Sequence, residues 1–211
     1  MAGKGKYYES QFEEATIELL RESHWQYTFG DDIHRKYTDP LIEEDLRTFL
    51  AAQYKDKKLT ASEMDGIVAN LRNTGGQNDY YAQQNTFLLY RDGYDFTYSD
   101  GRDNPFRLQY IDFEHPDHNI FRCVNQFVME QGRENRRPDI LLFVNGIPVC
   151  IVELKNPTKQ NATIRDAHTQ ICTRYMRDIP ALLKYCALAV ISDGAKNELG
   201  TTYTPFEFFY E

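Results

Sequence analysis

Two acidic residues and one lysine stand at the ends of two apolar segments in the second half of the chain. Asp139 directly precedes the apolar run 140–144. Glu153 lies near the end of the apolar run 149–154, and Lys155 directly follows that run. Alternate side chains of a strand face the same side of a sheet, so Glu153 and Lys155 share a face. Hard divalent cations such as Mg²⁺ prefer carboxylate oxygens, and a bound ion can activate a water beside a phosphate. The pattern therefore predicts a carboxylate site for a metal ion.

The turn between the two segments decides whether the two carboxylates meet. Asn145-Gly146 is a strong hairpin signal. A strict two-residue loop would turn Asp139 and Glu153 to opposite faces, because a slip of one residue exchanges the faces of a strand. A connection of three or five residues centred on Gly146 sets the two carboxylates opposite each other. We therefore predict the longer connection, which Pro148 at the margin of the turn also favours.

The elements around this hairpin predict an α/β fold. Apolar residues recur at helical spacing in five segments: 9–23, 41–54, 61–71, 79–90 and 163–177, and Thr60 is a candidate cap for the third. The composition of strands is found in five others: 106–113, 120–129, 140–144, 149–154 and 185–191. We expect a mixed β-sheet flanked by helices, with a helix-rich N-terminal third. We further expect a single domain over 1–211, mostly helical in 1–92 and containing the sheet in 93–211.

Charge and composition narrow the classes of function. The 211-residue chain has a net charge of −8, which argues against a protein that coats nucleic acid through bulk charge. The window 131–175 nevertheless contains seven basic and four acidic residues, which suits a local contact with a phosphate backbone. No apolar run approaches the ~20 residues of a membrane span, and no signal peptide is recognisable. We expect a cytoplasmic protein with no membrane partner and with four buried thiols.

The hairpin segment also resembles a known family. Pro138-Asp139 followed by Glu153-Leu154-Lys155 resembles the PD-(D/E)-x-K nuclease motif. With Arg137, the turn Asn145-Gly146-Ile147-Pro148 and the ending Asn156-Pro157, the segment is similar to the N-terminal endonuclease domain of the restriction (R, motor) subunit of type I restriction-modification enzymes. The resemblance implies a restriction-endonuclease-like fold, Asp139 and Glu153 as ligands of Mg²⁺ with Mn²⁺ as a possible substitute, and Lys155 as the catalytic lysine.

The resemblance extends to residues outside the hairpin. Gln170 and Tyr175 match a Gln and a Tyr that support the active site or contact DNA in related nucleases. An ordinary amphipathic helix explains them equally well, because residues five apart point about 140° apart on an α-helix. Glu13 matches an acid of the family's first helix that reaches the site, although Glu14 is adjacent and a solvated acid near a helix start is an alternative. Residues 125–127 (Asn-Gln-Phe) resemble a strand that the family shares.

The resemblance implies a Mg²⁺-dependent endonuclease domain that hydrolyses double-stranded DNA and works with methyltransferase and specificity subunits. The family's subunits also carry a helicase motor, and the G-x-x-x-x-G-K-[S/T] phosphate loop does not occur in this sequence. We therefore expect a fragment of a longer subunit, with ATP used only in the missing motor. Two alternatives remain open: a repair-type exonuclease domain of the same fold, and a non-catalytic module that docks DNA or a partner.

A second group of metal-ligating residue types lies at His115-Pro116-Asp117-His118. Pro116 interrupts regular backbone geometry, and no cysteine or further histidine is close in sequence. We therefore predict a turn at this position rather than a metal site.

Overall fold

The computed structural model describes residues 4–155 and 163–211, with side chains from residue 10 onward. Contacts divide the chain into two compact units. The first, here called the sheet unit, comprises Met1–Pro40, Phe121–Phe143 and Pro148–Glu211, and the second, here called the helical unit, comprises Leu41–Ile120 and Val144–Ile147. The division therefore differs from the boundary at residue 92, and a single nuclease domain over 1–211 stays a prediction.

The described residues form a mixed α/β structure, as predicted. Its strands are β1 (Gln26–Phe29), β2 (Tyr94–Phe96), β3 (Phe106–Leu108), β4 (Phe121–Asn125), β5 (Met129–Gln131), β6 (Glu134–Arg136), β7 (Ile140–Val144), β8 (Ile147–Leu154), β9 (Leu188–Ser192) and β10 (Asn197–Gly200). Its α-helices are α1 (Lys4–Glu22), α2 (Glu43–Gln53), α3 (Ala61–Asn73), α4 (Asp79–Asp92), α5 (Ile164–Thr169), α6 (Met176–Asp178) and α7 (Pro180–Leu183). Among these described helices, none combines the length and the apolar character that crossing a bilayer requires.

A six-stranded mixed sheet forms the centre of the sheet unit, in the order β1-β4-β7-β8-β9-β10. β1 pairs with β4 and β8 pairs with β9 in parallel, whereas β9 and β10 are antiparallel. All residues of β8 except Val149 are buried. A strand covered on both faces is normally apolar throughout, so the carboxyl group of Glu153 within β8 requires a special explanation.

Helix α1 covers one face of this sheet with an apolar stripe. Ile17 forms a cluster with Ile140, Cys150, Val152 and Leu154, and partly buried Phe12 and Leu20 pack against the cluster. The spacing of the α1 residues is that of an amphipathic helix. Because the even-numbered residues of β8 face α1, Glu153 faces the opposite side of the sheet.

The connection between β7 and β8 is shorter than predicted. β7 ends at Val144 and β8 begins at Ile147. The turn therefore contains only Asn145 and Gly146, whose φ angles of 52° and 74° are the left-handed values that a type I′ turn requires. The prediction of a three- or five-residue connection is wrong, because this Asn-Gly pair adopts the tight turn that its sequence favours.

The side chains of the hairpin nevertheless face the way that the longer connection would have turned them. Ile140 packs with Cys150, Val152 and Leu154 on the α1 side, whereas an uninterrupted two-residue hairpin would set it opposite Ile151. Ile140 of β7 thus contributes to the same cluster as the even-numbered residues at the end of β8.

Further differences concern the strands. The predicted strand 120–129 is interrupted after β4, because Gln126 has a left-handed backbone with φ of 54°. The predicted strand 106–113 ends at Leu108, and β1 was not predicted to be a strand. The helical unit follows the predicted order, with α2, α3 and α4 beside the antiparallel pair β2–β3. Thr60 caps α3 as expected, in a capping box with Glu63.

Candidate active site

The predicted residues Asp139, Glu153 and Lys155 line one cavity of about 330 Å³ in the sheet unit. We call this the hairpin cavity. Its lining consists of Ser10, Glu13, Gln126, Asp139, Glu153, Leu154, Lys155 and Gln170. Three carboxylates and one ammonium group thus border the same space, at the end of β8 and before the start of β7.

Asp139 reaches the cavity from outside the regular strand. It lies in a bend directly before β7, so the alternation of the strand does not fix the direction of its side chain. Its Oδ2 accepts a hydrogen bond of 2.7 Å from the backbone N–H of Leu154. This bond ties the carboxylate of Asp139 to the end of β8, beside Glu153.

Glu153 is the fully buried acid of the site, with 0% of its surface exposed. Its Oε1 accepts a hydrogen bond of 2.8 Å from Nζ of Lys155, and its Oε2 accepts one of 3.3 Å from the hydroxyl of Tyr175. Burial, together with the nearby Asp139 carboxylate, raises the pKa of Glu153 from its ordinary 4.5 to about 8, although Lys155 and Tyr175 act in the opposite direction. The ionised form of Glu153 is therefore incompletely compensated in this cavity.

Lys155 directly follows β8, and its backbone and its side chain make separate contacts. Its backbone N–H donates to the carbonyl of Ser192 at 2.7 Å, and its ammonium group donates to Glu153 and to the carbonyl of Leu154 at 3.2 Å. Only 13% of its side chain is exposed. The ammonium group is therefore held at the cavity rather than free in solvent.

Gln170 and Tyr175 meet because the helix changes its winding between them. Residues Gln170–Tyr175 form a π-helical segment that follows α5 directly, and its i→i+5 spacing stacks residues five apart. Nε2 of Gln170 donates to the Tyr175 hydroxyl at 2.7 Å, and that hydroxyl is in hydrogen-bond range of Glu153. Burial raises the pKa of Tyr175, so its hydroxyl stays protonated and can donate. The angle of an ideal α-helix does not apply at this position.

Of the two adjacent acids on α1, Glu13 borders the hairpin cavity and Glu14 does not belong to its lining. Oε1 of Glu13 accepts hydrogen bonds from Nδ2 of Asn125 at 2.7 Å and from Nε2 of Gln126 at 3.2 Å. Asn125 is the last residue of β4, and Gln126 directly follows it. The side-chain amides of these two residues therefore fix the position of the Glu13 carboxylate.

Sequence reasoning missed the part that Gln126 and Arg137 play in this arrangement. The carboxamide of Gln126 donates to Glu13 and accepts from the guanidinium of Arg137 at 3.2 Å. The backbone carbonyl of Arg137 lies 3.4 Å from the Tyr175 hydroxyl. The resemblance of residues 125–127 to a strand that the family shares could have drawn attention to Gln126, but it did not indicate that this side chain contacts the site. Asn156, Pro157 and Lys159, which the sequence analysis also used, lie outside the described residues.

Comparison with known proteins gives relatives of one kind. The chain is 29% identical over 211 residues to the type I restriction enzyme HindI endonuclease subunit of Haemophilus influenzae, covering 95% of this chain and 20% of that subunit. It is 41% identical over 106 residues to the putative MjaIXP endonuclease subunit of Methanocaldococcus jannaschii, covering 49% of this chain and 10% of that subunit. The chain thus spans a fifth or less of these relatives. The profile of the family described as type I restriction enzyme R protein N terminus matches residues 6–208, and the chain belongs to this family.

Proposed function

We propose that this chain is a Mg²⁺-dependent endonuclease domain that hydrolyses phosphodiester bonds of DNA as part of a type I restriction enzyme. One observation carries the proposal: the carboxylates of Asp139 and Glu153 and the ammonium group of Lys155 border one cavity. Phosphoryl transfer needs oxygen ligands for a metal ion and a cation near the phosphate. The cavity offers both types of group in a chain whose relatives are named as endonuclease subunits.

The donor set of the hairpin cavity fits a hard divalent cation. Asp139 and Glu153 present carboxylate oxygens, the ligands that Mg²⁺ prefers, and Mn²⁺ accepts the same ligands. The pKa of Glu153 is raised first by burial and then by the nearby Asp139 carboxylate, and a bound cation would offset the repulsion between the two acids. In the proposal these two residues hold the ion, which when bound polarises a phosphate oxygen and lowers the pKa of a water.

The remaining groups have defined tasks in the proposed reaction. Lys155, already 2.8 Å from Glu153, orients the attacking water with its Nζ or neutralises the charge that develops on the phosphate oxygens. The water oxygen forms the new bond to phosphorus and gives up a proton to solvent, while the bond to the leaving ester oxygen breaks in line with it and that oxygen takes up a proton. Gln170 and Tyr175 hold the Glu153 carboxylate in place, so we assign them as positioning residues.

Glu13 is proposed as a supporting acid. Its carboxylate borders the same cavity and is oriented by the side-chain amides of Asn125 and Gln126. A third carboxylate adds negative charge that a cation would offset, and it gives a hydrogen-bond acceptor to waters around that cation. Double-stranded DNA is the proposed substrate, and the methyltransferase and specificity subunits are the proposed protein partners. ATP use is assigned to a motor outside this chain.

The decisive experiment combines metal binding with DNA nicking. Mn²⁺ and Mg²⁺ binding is measured by calorimetry on the wild type, Asp139→Asn and Glu153→Gln, with exposed Glu207→Gln as the matched control. We expect binding in the wild type and the control, and at least tenfold weaker binding in both site variants. Equal binding in all four proteins would refute the carboxylate metal site.

Nicking of supercoiled plasmid tests the reaction, with Lys155→Met as the variant that keeps both carboxylates. The proposal expects Mn²⁺-dependent nicking that Lys155→Met abolishes while metal binding persists. Degradation of linear DNA with circular DNA left intact would instead indicate a repair-type exonuclease. Binding of DNA that is unaffected by all three site variants, without cleavage in the assembled restriction complex, would indicate a docking module.

A further inference from the structure

A second cluster of ligand-type side chains lies in the helical unit, in the loop between β3 and β4. It consists of Asp112, His115 and His118, whose ligand atoms all lie within 4.8 Å of one another. Oδ2 of Asp112 is 3.0 Å from Nδ1 of His118 and 3.7 Å from Nδ1 of His115. One carboxylate oxygen and two imidazole nitrogens thus converge on one point. Sequence spacing had indicated only a turn there.

The turn is present and is the reason why the two histidines meet. Pro116–His118 forms a single 3₁₀ turn with the proline at its first position. His115 is the cap of this turn, and its backbone carbonyl accepts from the backbone N–H of His118 at 3.0 Å. The two imidazole rings stack with centroids 5.0 Å apart and planes inclined by 20°. The turn therefore brings His115 and His118 together instead of separating them.

The distances suit a tetrahedral transition-metal site. Zn–N and Zn–O bonds of about 2.0–2.2 Å place tetrahedral ligand atoms about 3.3–3.5 Å apart. The two observed separations from Asp112, 3.0 and 3.7 Å, bracket this range. Small rotations of two side chains would equalise them. His115 and His118 are 64% and 57% exposed, and Nδ1 of His118 is within hydrogen-bond distance of Oδ2 of Asp112 at 3.0 Å, so a bound ion would take the place of that hydrogen bond.

The carboxylate of the cluster, in contrast, is held firmly. Asp112 is 5% exposed at its side chain, and its Oδ1 accepts from the backbone N–H groups of Glu114 and His115 at 3.0 and 2.8 Å. Nε2 of Gln53 donates to its Oδ2 at 3.0 Å. Such outer hydrogen bonds orient a ligand in known metal sites. The cluster therefore has one fixed ligand and two exposed ligands that can close over an ion from solvent.

We propose that Asp112, His115 and His118 bind a divalent transition metal ion of the zinc type, with water as the fourth ligand. Imidazole nitrogens select Zn²⁺, Co²⁺ or Ni²⁺ over Mg²⁺, so this site is chemically distinct from the hairpin cavity. The ion would clamp the loop 112–119. Asn119 in that loop accepts from the backbone N–H of Asp112 at 2.9 Å and from Nδ2 of Asn145 at 2.8 Å. The metal would therefore stabilise the part of the helical unit that carries the Asn145 turn.

Co²⁺ is the probe for the test, because tetrahedral Co²⁺ with imidazole ligands absorbs strongly in the visible range. Protein without a histidine tag is stripped with chelator and titrated with Co²⁺ and then with Zn²⁺. The variants are His115→Ala and His118→Ala, which remove exposed side chains, with exposed His34→Ala as the matched control. Asp139→Asn serves as a second control that removes a proposed ligand of the hairpin cavity.

We expect the wild type, His34→Ala and Asp139→Asn to bind one Co²⁺ with a tetrahedral spectrum, which Zn²⁺ displaces. The two cluster variants should bind at least tenfold more weakly and should lose the rise in melting temperature that Zn²⁺ gives the wild type. Circular dichroism of the metal-free variants verifies that they are folded. A wild type with no tetrahedral spectrum, or a spectrum that survives in both cluster variants, would overturn the proposal and leave a hydrogen-bonded turn.

Discussion

Replacing Glu153 with glutamine should make the metal-free protein more stable at neutral pH. The wild-type carboxyl group is fully buried, and its pKa is raised from 4.5 to about 8. A carboxyl group with a raised pKa in the folded state binds a proton on folding, so stability falls as the pH rises from 4.5 to 8. Glutamine has nearly the same shape and does not ionise, so the variant avoids the free-energy cost of keeping a buried carboxyl group protonated above its ordinary pKa.

The magnitude follows from the interval between the ordinary pKa and the pH of the experiment. Each pH unit in this interval corresponds to about 1.4 kcal/mol, so the cost to the wild type at pH 7 is about 3 kcal/mol. The glutamine keeps an acceptor for Lys155 and can donate to the hydroxyl of Tyr175, so no buried polar group loses its partner. We expect a net gain of about 2–3 kcal/mol, or about 5–10 °C in melting temperature.

Thermal and urea unfolding in chelator at several pH values between 4.5 and 8 measures this gain. The difference between Glu153→Gln and wild type should be near zero at pH 4.5 and should grow toward pH 8, whereas exposed Glu207→Gln should show no such growth. Adding Mn²⁺ should stabilise the wild type and leave Glu153→Gln unchanged. A variant that is less stable than wild type at pH 8, or a difference that does not vary with pH, would refute the reasoning.

Three further predictions concern single contacts. Tyr175→Phe removes a hydrogen-bond donor to the Glu153 carboxylate. The variant should bind Mn²⁺ about tenfold more weakly when affinity is measured by calorimetry. Unchanged affinity would show that the hydroxyl does not position this acid. Thr60→Ala removes the hydroxyl of a capping box and should lower the free energy of unfolding by about 1 kcal/mol, whereas Thr60→Ser should retain most of it. Gly146 has a φ of +74°, and Gly146→Ala places a methyl group against the carbonyl of Ile42. The variant should lose more than about 2 kcal/mol in free energy of unfolding, measured in urea. A smaller loss would mean that the turn relaxes.

Features that depend on neighbours along the chain could be predicted from the sequence. The apolar spacing of α1, the cap at Thr60 and the Asn145-Gly146 turn arise from local periodicity and local backbone preference. The same holds for the polar residues Glu153 and Lys155, because charged groups are rarely placed in a buried apolar strand without a functional or structural reason. The strand ends and the hairpin also indicated that Asp139 belongs with these residues, and the family resemblance added their roles as metal ligands and catalytic lysine.

Tertiary structure alone decided how these residues meet. The hairpin has a two-residue turn, yet Asp139 still reaches the end of β8, because the bend before β7 and the pairing of the strands orient it. Likewise, Gln170 and Tyr175 meet only because packing winds their segment as a π-helix, and local sequence scarcely favours that winding over an α-helix.

The electrostatics of the site also arise only in the folded chain. The sequence shows that Glu153 is an acid, but its raised pKa depends on complete burial and on a carboxylate fourteen positions away. The choice of Glu13 over Glu14 likewise depends on two amides at the end of β4. Periodicity in a sequence specifies which face of an element a side chain takes. Burial and long-range neighbours set the protonation state of that side chain, and both exist only after the elements have packed.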